Sequence, residues 1–355
     1  MKICLNMIVK NEAPVIRRCL DTVKPWIDHW VIVDTGSGDG TQDIIRECMA
    51  GIPGELHERP WKNFAHNRNE AMSLAKPHAD YLLFIDADET LAVPPGFAWP
   101  SLGAAGYRFS CSLGDWNYQR NALVTTRDPW RWEGVLHEYL TQNEPHVWDY
   151  LPDATIVVSR DGARARDAQT YERDIQVLEQ AVRDNPGDTR YRFYLAQSYR
   201  DAGRIADSIR AYRERHAMDG WDEERWYSLY QIASLIEMNG APRSEIIDAY
   251  LDAFQARPTR AEPLYHLARY HRQRGEYVLA HLFASRGVAL PRPADALFVD
   301  ESVYRWRMLD ELAVSAWYAG AVEEGRVALR RLLEENFFPP EEAGRIVANK
   351  AFFGL

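Results

Sequence analysis

The chain has 355 residues, enough for two domains of ordinary size, and its 46% apolar composition permits a sizeable core and excludes global disorder. A net charge of −10 is not that of a polycation, so tight non-specific binding to nucleic acid is not expected. The N-terminal apolar run is cut short by Lys10, Asn11 and Glu12, so no signal peptide is expected, and no window approaches the roughly 18 apolar residues of a membrane span.

Residues 2–9 read as a strand and Glu12 to Leu20 as a short amphipathic helix. A strand over 30–34 ends in Asp34, and Thr41 is placed to cap a helix over Gln42–Met49. Phe64 to Ala75 predicts another helix, followed by a strand over 81–85. Strand and helix alternating in this way imply a parallel sheet with crossover helices. From about 107 to 158 the texture changes to short β-like runs, Tyr107–Leu113, Ala122–Thr126, His137–Thr141 and Thr155–Ser159, which read as a mixed continuation of the same sheet. Four cysteines, Cys4, Cys19, Cys48 and Cys111, lack metal-type spacing and read as small buried hydrophobes in a reducing compartment.

After Arg160 the pattern is helical to the end, and it repeats. Leu195-Ala196-x-x-Tyr199-x-x-x-Gly203 is echoed by Ile232-Ala233-x-x-Ile236-x-x-x-Gly240, Leu267-Ala268-x-x-His271-x-x-x-Gly275 and Leu312-Ala313-x-x-Ala316-x-x-x-Gly320. The small residue lets two helices approach closely, and the glycine ends the first of them. A period near 34 with this pattern resembles the tetratricopeptide repeat. Two domains follow, an α/β domain over 1–160 and an all-α repeat domain over 161–355.

The chemistry concentrates in the first domain. Val33-Asp34-Thr35-Gly36-Ser37-Gly38-Asp39-Gly40-Thr41 is a strand that delivers an acid into a glycine turn and a helix start. Asp34 suits contact with a base or ribose; capping the turn is its plainer alternative. Tyr81–Ile85 delivers Asp86-Ala87-Asp88 and Glu89. Side chains two apart on an extended segment share a face, and two hard oxygen ligands there suit Mg²⁺ or Mn²⁺ carrying a diphosphate. In open α/β sheets, ligands bind outside the carboxyl ends of the strands.

Together, Met7-Ile8-Val9-Lys10-Asn11-Glu12, the Asp34 turn, Phe64-Ala65-His66-Asn67-Arg68-Asn69, Phe84-Ile85-Asp86-Ala87-Asp88 and Trp132-Glu133-Gly134-Val135-Leu136-His137-Glu138 resemble family 2 glycosyltransferases of the GT-A fold, over about residues 1–160. With helical repeats behind it, the chain resembles bacterial and viral repeat-containing glycosyltransferases and the peptide S-glycosyltransferases of glycosylated bacteriocins. The resemblance implies that Asn11 and Glu12 lie beside the base pocket, Asp34 binds base or ribose, Arg68 contacts diphosphate or base, Asp86 binds ribose, and Asp88 binds the metal. It implies Mn²⁺ or Mg²⁺ and a nucleotide-sugar donor, a UDP-sugar first. Glu138 and Glu133 are the candidate bases for an inverting transfer, and His137 is a candidate third metal ligand alongside Asp86 and Asp88. Trp132, with Trp116 and Trp130, offers an aromatic face to the donor sugar or else packs in the interior.

A repeat solenoid suits an extended partner. Tyr191, Tyr194, Trp226, Tyr227, Tyr230, Tyr265 and Tyr270 are candidates for such a groove, with core packing the alternative for each. Arg160, Arg164, Arg166, Arg204, Arg210, Arg213 and Arg215 form a locally basic stretch of solvated faces or phosphate contacts. The expected function is a cytoplasmic, metal-dependent, inverting glycosyltransferase whose acceptor, a peptide, protein or glycan, is selected by the repeats, with homodimerisation through them left open. Transfer to hydroxylated bases of modified DNA and an inactive repeat scaffold are the alternatives. A nucleotidyltransferase would need a basic glycine-rich loop after the first strand, which is absent.

Overall fold

The computed structural model describes residues 1–355 as two compact units, Met1–Gly114 with Tyr118–Ala202, and Asp115–Asn117 with Gly203–Leu355. The secondary structure changes character near residue 160, whereas the compact units divide at Ala202/Gly203, so the first helices after the sheet count with the α/β unit.

In the first unit the strands are β1 (Ile3–Val9), β2 (His29–Asp34), β3 (Gly54–Glu58), β4 (Tyr81–Phe84), β5 (Glu89–Ala92), β6 (Gly106–Leu113), β7 (Trp116–Thr125), β8 (Arg131–Glu133), β9 (Tyr139–Thr141) and β10 (Trp148–Val158). The helices are α1 (Ile16–Val23), α2 (Thr41–Cys48), α3 (Phe64–Ala75), α4 (Ala163–Arg166), α5 (Thr170–Asp184) and α6 (Thr189–Asp201). The main sheet runs β3-β2-β1-β4-β7-β6-β10-β5, and β8 pairs with β9 separately. Strands β1 to β4 are parallel, and β7 adds antiparallel to β4, which makes the mixed continuation expected from the texture.

Alternation along β1 sorts two cores. Ile3, Leu5, Met7 and Val9 pack in one cluster with Ile16, Leu20 and Ile45 of α1 and α2. Cys4 joins Val31, Met72 and Leu82 in the other, on the α3 side. Asn6 on that face is buried, and its amide donates to the carbonyls of Ala71 (2.9 Å) and Val31 (3.3 Å). All four cysteines are buried and unbridged.

Some local expectations shift. The first helix begins at Ile16 rather than Glu12; the Glu12 and Ala13 N–H groups before it donate to the side chains of Thr41 and Asp39. Thr41 is inside α2 and not its cap; its hydroxyl donates to Asp39 and accepts from the Glu12 N–H. The cap of α3 is Asn63, whose side chain accepts the His66 N–H at 2.8 Å. Strand β3 went unforeseen because its exposed edge sequence, with Glu55 and His57, carries no apolar run.

The second unit consists of helices α7 (Ile205–Ala217), α8 (Asp222–Met238), α9 (Arg243–Ala256), α10 (Glu262–Gln273), α11 (Tyr277–Val288), α12 (Met308–Ala319) and α13 (Val322–Glu335), followed by two short ones. The pattern Ala-x-x-x-x-x-x-Gly falls on α6, α8, α10 and α12, and Gly203, Gly240, Gly275 and Gly320 all sit at φ between 70° and 84°. That left-handed conformation favours glycine and ends each helix where the next begins. This is the tetratricopeptide arrangement. Trp226, Tyr227 and Tyr230 are buried: Tyr230 stacks on Trp226 at 5.5 Å, and its hydroxyl meets His266 Nε2 at 2.9 Å. They are core and not groove, while Tyr191, Tyr194, Tyr265 and Tyr270 stay half-buried. The basic stretch is largely neutralised: Arg204 and Arg210 both pair with Asp207, buried Arg215 with Glu224, and Arg164 with Asp174.

Gly54 tests the tightness of the β2–β3 edge. A Cβ there would lie 2.3 Å from the Trp30 ring, whose Nε1 is anchored to the Ile52 carbonyl at 3.0 Å. Gly54→Ala is expected to destabilise the protein by about 1–3 kcal/mol through overpacking, read as a lower urea midpoint.

Candidate functional site

The carboxyl ends of β1, β2 and β4 carry Asn11–Glu12, Asp34–Gly40 and Asp86–Glu89 respectively. Asp34 is fully buried; its Oδ1 accepts the N–H groups of Gly36 and Ser37, both at 2.8 Å, and its Oδ2 is buried without a partner. One oxygen therefore holds the turn while the other is left for a further donor. Asn11, at φ 56°, clamps the same turn: its N–H donates to Ser37 Oγ and its Oδ1 accepts from the Gly38 N–H.

Asp86 and Asp88 do not lie on an extended segment. The Glu89 N–H donates to the Asp86 carbonyl at 3.0 Å, which closes a tight turn. Asp86 meets Arg68 at 2.7 Å and Arg120 at 3.6 Å. Burial works against its charge, yet the two guanidiniums hold its pKa below the ordinary range. Asp88 instead accepts the Gly162 N–H at 3.3 Å, has no ion-pair partner, and its pKa is raised by burial and by Asp86.

Arg68, on α3, joins these elements. Its Nε donates to Glu138, its Nη2 to Asp86, and its guanidinium lies over the Trp132 ring at 5.0 Å. Trp132 is buried and meets Phe84 edge-on at 5.1 Å, so it supports Arg68 from within the core. Trp130 is likewise interior, against Trp148 at 4.8 Å. Asn69 fixes the loop by donating to the Trp132 carbonyl and accepting its N–H, and buried Asn67 holds the Lys62 N–H and Pro60 carbonyl.

Glu138 thus joins the cluster through Arg68, whereas Glu133 is bound to Arg131 at 2.6 Å and to the Tyr139 hydroxyl. His137 takes φ 52°, its carbonyl accepts from Arg190, and its ring stacks on Tyr194 at 3.8 Å. The residue is exposed. His137 is not gathered with Asp86 and Asp88 into a three-ligand cluster; the ligand atoms that do come within 4.8 Å of one another are those of His29, Glu55 and His78.

Sequence reasoning missed Arg120, and it noted Glu89 after the strand without a role for it. Buried Glu89 receives both Arg120 Nη1 (2.8 Å) and Nη2 (2.5 Å), and also accepts the Asp86 N–H at 2.9 Å. A charge inside the otherwise β-like run of β7 was the available signal. A cleft of about 500 Å³ lined by Asp128, Gln142, Glu144 and His146 contains none of these residues.

Glu12 is half-buried, and both its oxygens accept the Ala163 N–H. Burial, with Asp88 next in the same direction, raises its pKa from 4.5 to about 7. Between those pH values the folded protein keeps a proton that the unfolded chain has released, so stability falls as pH rises. Glu12→Gln, in metal-free buffer, is expected to raise the unfolding midpoint at pH 8 and to leave it unchanged at pH 4. An equal effect at both pH values would remove the assignment.

Parts of the chain match known proteins. Residues 4–96 match the family described as Glycosyl transferase family 2. A TPR repeat-containing protein of Synechococcus elongatus is 29% identical over 81% of this chain and 75% of its own. The SPbeta prophage-derived glycosyltransferase SunS of Bacillus subtilis is 34% identical over 24% of this chain, and the match spans a fifth of SunS. An uncharacterized glycosyltransferase of Rickettsia felis is 35% identical over 26% of this chain and 30% of its own. No helix is long and apolar enough to cross a membrane. The chain carries a family 2 glycosyltransferase domain at its N-terminus, followed by tetratricopeptide-type repeats.

Proposed function

We propose that the protein is a metal-dependent, inverting glycosyltransferase that takes a sugar from a nucleotide-sugar donor, a UDP-sugar first, to a peptide, protein or glycan acceptor selected by the repeats. The observation that carries this reading is the placement of Asp34, Asp86 and Asp88 at the carboxyl ends of β2 and β4, with Arg68 of α3 joining Asp86 to Glu138 from the loop before β9. Ligands of open α/β sheets bind at those ends.

The residues fit a divalent cation. Asp88 is a hard oxygen donor without a cationic partner, in a neighbourhood that already penalises its charge through Asp86. Mn²⁺ or Mg²⁺ held there would offset the negative charge that develops on the departing diphosphate. Asp34 would take base or ribose through its unpartnered Oδ2, with Asn11 shaping the turn and Glu12 beside it. Arg68 would present positive charge toward the diphosphate, and Asp86 would serve the ribose. In the transfer, Glu138 would take the proton of the acceptor nucleophile as its oxygen or sulfur bonds to the anomeric carbon and the carbon–oxygen bond to the nucleoside diphosphate breaks. Both glutamates pair with an arginine; Glu133 is the weaker candidate because its partner Arg131 does not contact Asp86, whereas Arg68 ties Glu138 to it.

A screen of nucleotide sugars with Mn²⁺, read as nucleotide release, tests this directly. Turnover is expected to vanish in Asp88→Ala while the protein stays folded by circular dichroism; full activity in excess EDTA would overturn metal dependence. Asp34→Ala is expected to weaken nucleotide affinity by tenfold or more, since leaving a buried polar group without its hydrogen-bond partner costs about 1–3 kcal/mol. Unchanged affinity by calorimetry would return Asp34 to turn capping alone. Glu138→Gln is expected to lose transfer and Glu133→Gln to retain it.

A further inference from the structure

A second cluster lies at the opposite end of the same sheet. His29 opens β2, Glu55 is the second residue of β3, and His78 closes the turn Lys76–His78 that precedes β4. His29 and Asp34 are five steps apart on β2, about 16 Å at roughly 3.3 Å per residue, so this cluster is separate from the candidate donor site.

One potential ligand atom from each of His29, Glu55 and His78 lies within 4.8 Å of the others. The two imidazoles are stacked, with centroids 4.3 Å apart and planes 6° from parallel. The two oxygens of Glu55 are divided between histidines: Oε2 is 2.7 Å from His57 Nε2, and Oε1 is 3.4 Å from His78 Nε2. His29 Nε2 is buried and has no hydrogen-bond partner. An ordinary surface ion pair accounts for Glu55 with His57 or His78. It does not account for an imidazole nitrogen withdrawn from water beside them and left unsatisfied, which costs free energy.

We propose that His29, Glu55 and His78 form a binding site for a first-row transition metal of the zinc type. Two imidazole nitrogens and one carboxylate oxygen are a zinc donor set, with a fourth position for water. Imidazole favours zinc, copper or nickel over Mg²⁺ and Mn²⁺, so the site differs in selectivity from the all-oxygen surroundings of Asp88. His57 supplies what such ligands need around them: it holds the second oxygen of Glu55 and so orients the first. Ligand atoms on one tetrahedral zinc sit about 3.3 Å apart, given Zn–N bonds of roughly 2.0–2.1 Å. The cluster therefore needs a contraction of the order of 1–2 Å, which rotation of the half-exposed His78 and Glu55 side chains supplies by breaking the ring stack. Because His78 belongs to the turn after α3 and Glu55 to the edge strand β3, a bound ion would pin the sheet edge to the end of the helix that carries Arg68.

The test uses the full-length chain without an affinity tag, stripped with EDTA and carrying Asp88→Asn so that the candidate donor site does not contribute. No nucleotide sugar is present, so the result is independent of the glycosyltransferase reading. Zn²⁺ is titrated in competition with a chromophoric chelator, and Co²⁺ serves as a spectroscopic probe. The expected result is one equivalent of Zn²⁺ and the visible absorption of tetrahedral Co²⁺. Adding His78→Ala or Glu55→Gln should lower Zn²⁺ affinity at least tenfold and remove the Co²⁺ band, and His57→Ala should weaken binding by about 10–100-fold. Both ligand positions are half-exposed, and thermal unfolding in the absence of metal confirms that each variant is folded. Absence of stoichiometric Zn²⁺ binding, or binding that survives both His78→Ala and Glu55→Gln, overturns the proposal.

Discussion

The largely buried guanidinium of Arg68 is the interaction on which the first unit's candidate site depends. It touches Asp86 at the end of β4, Glu138 in the loop before β9, and the face of Trp132. Two stretches far apart in sequence, around Asp86 and over 132–138, are thereby held to one helix. Taking an arginine out of water is costly, and two carboxylates with an aromatic face offset that cost. Arg120 and Glu89 repeat the logic one layer away, so Asp86 is gripped from two sides and its position is set by charge as well as by the chain.

The consequence is a division of labour between two aspartates that look equivalent in sequence. Asp86 has its charge matched by arginines, while Asp88, beyond the tight turn, does not. A strand-end pair of acids is therefore not one site with two identical ligands. The turn at 86–89 gives them different neighbours, arginines for Asp86 and the Gly162 N–H for Asp88.

Much of this was legible in the residues. The apolar runs that end in Asp34 and Asp86, and the helix carrying Arg68, follow from periodicity and from acids at strand ends. The repeat glycines at 203, 240, 275 and 320 were readable because a left-handed residue at fixed spacing leaves a compositional mark. What escaped depends on pairing across distance. Arg120 became meaningful only once β7 lay beside β4 and brought it to Glu89 and Asp86. The aromatic residues of α8 were ambiguous because a tyrosine looks alike in a groove and in a core; Tyr230 proved interior through its contact with His266. His137 offered a ligand type, but its backbone sits at φ 52° and its ring lies on Tyr194.

The short stretch after β10 reaches the acids through its backbone. Gly162 and Ala163 donate main-chain N–H groups to Asp88 and Glu12, and a Cβ at position 162 would lie 2.9 Å from Asp88 Oδ2. Such a contact leaves almost no imprint on residue identity. At 163 any residue except proline supplies the donor, and at 162 the requirement shrinks to the absence of a side chain. A segment bound in this way is free to change its surface chemistry, its charge and its length further on while keeping its hold on the carboxylates. Sequence drift there would therefore be a poor guide to whether the hold persists.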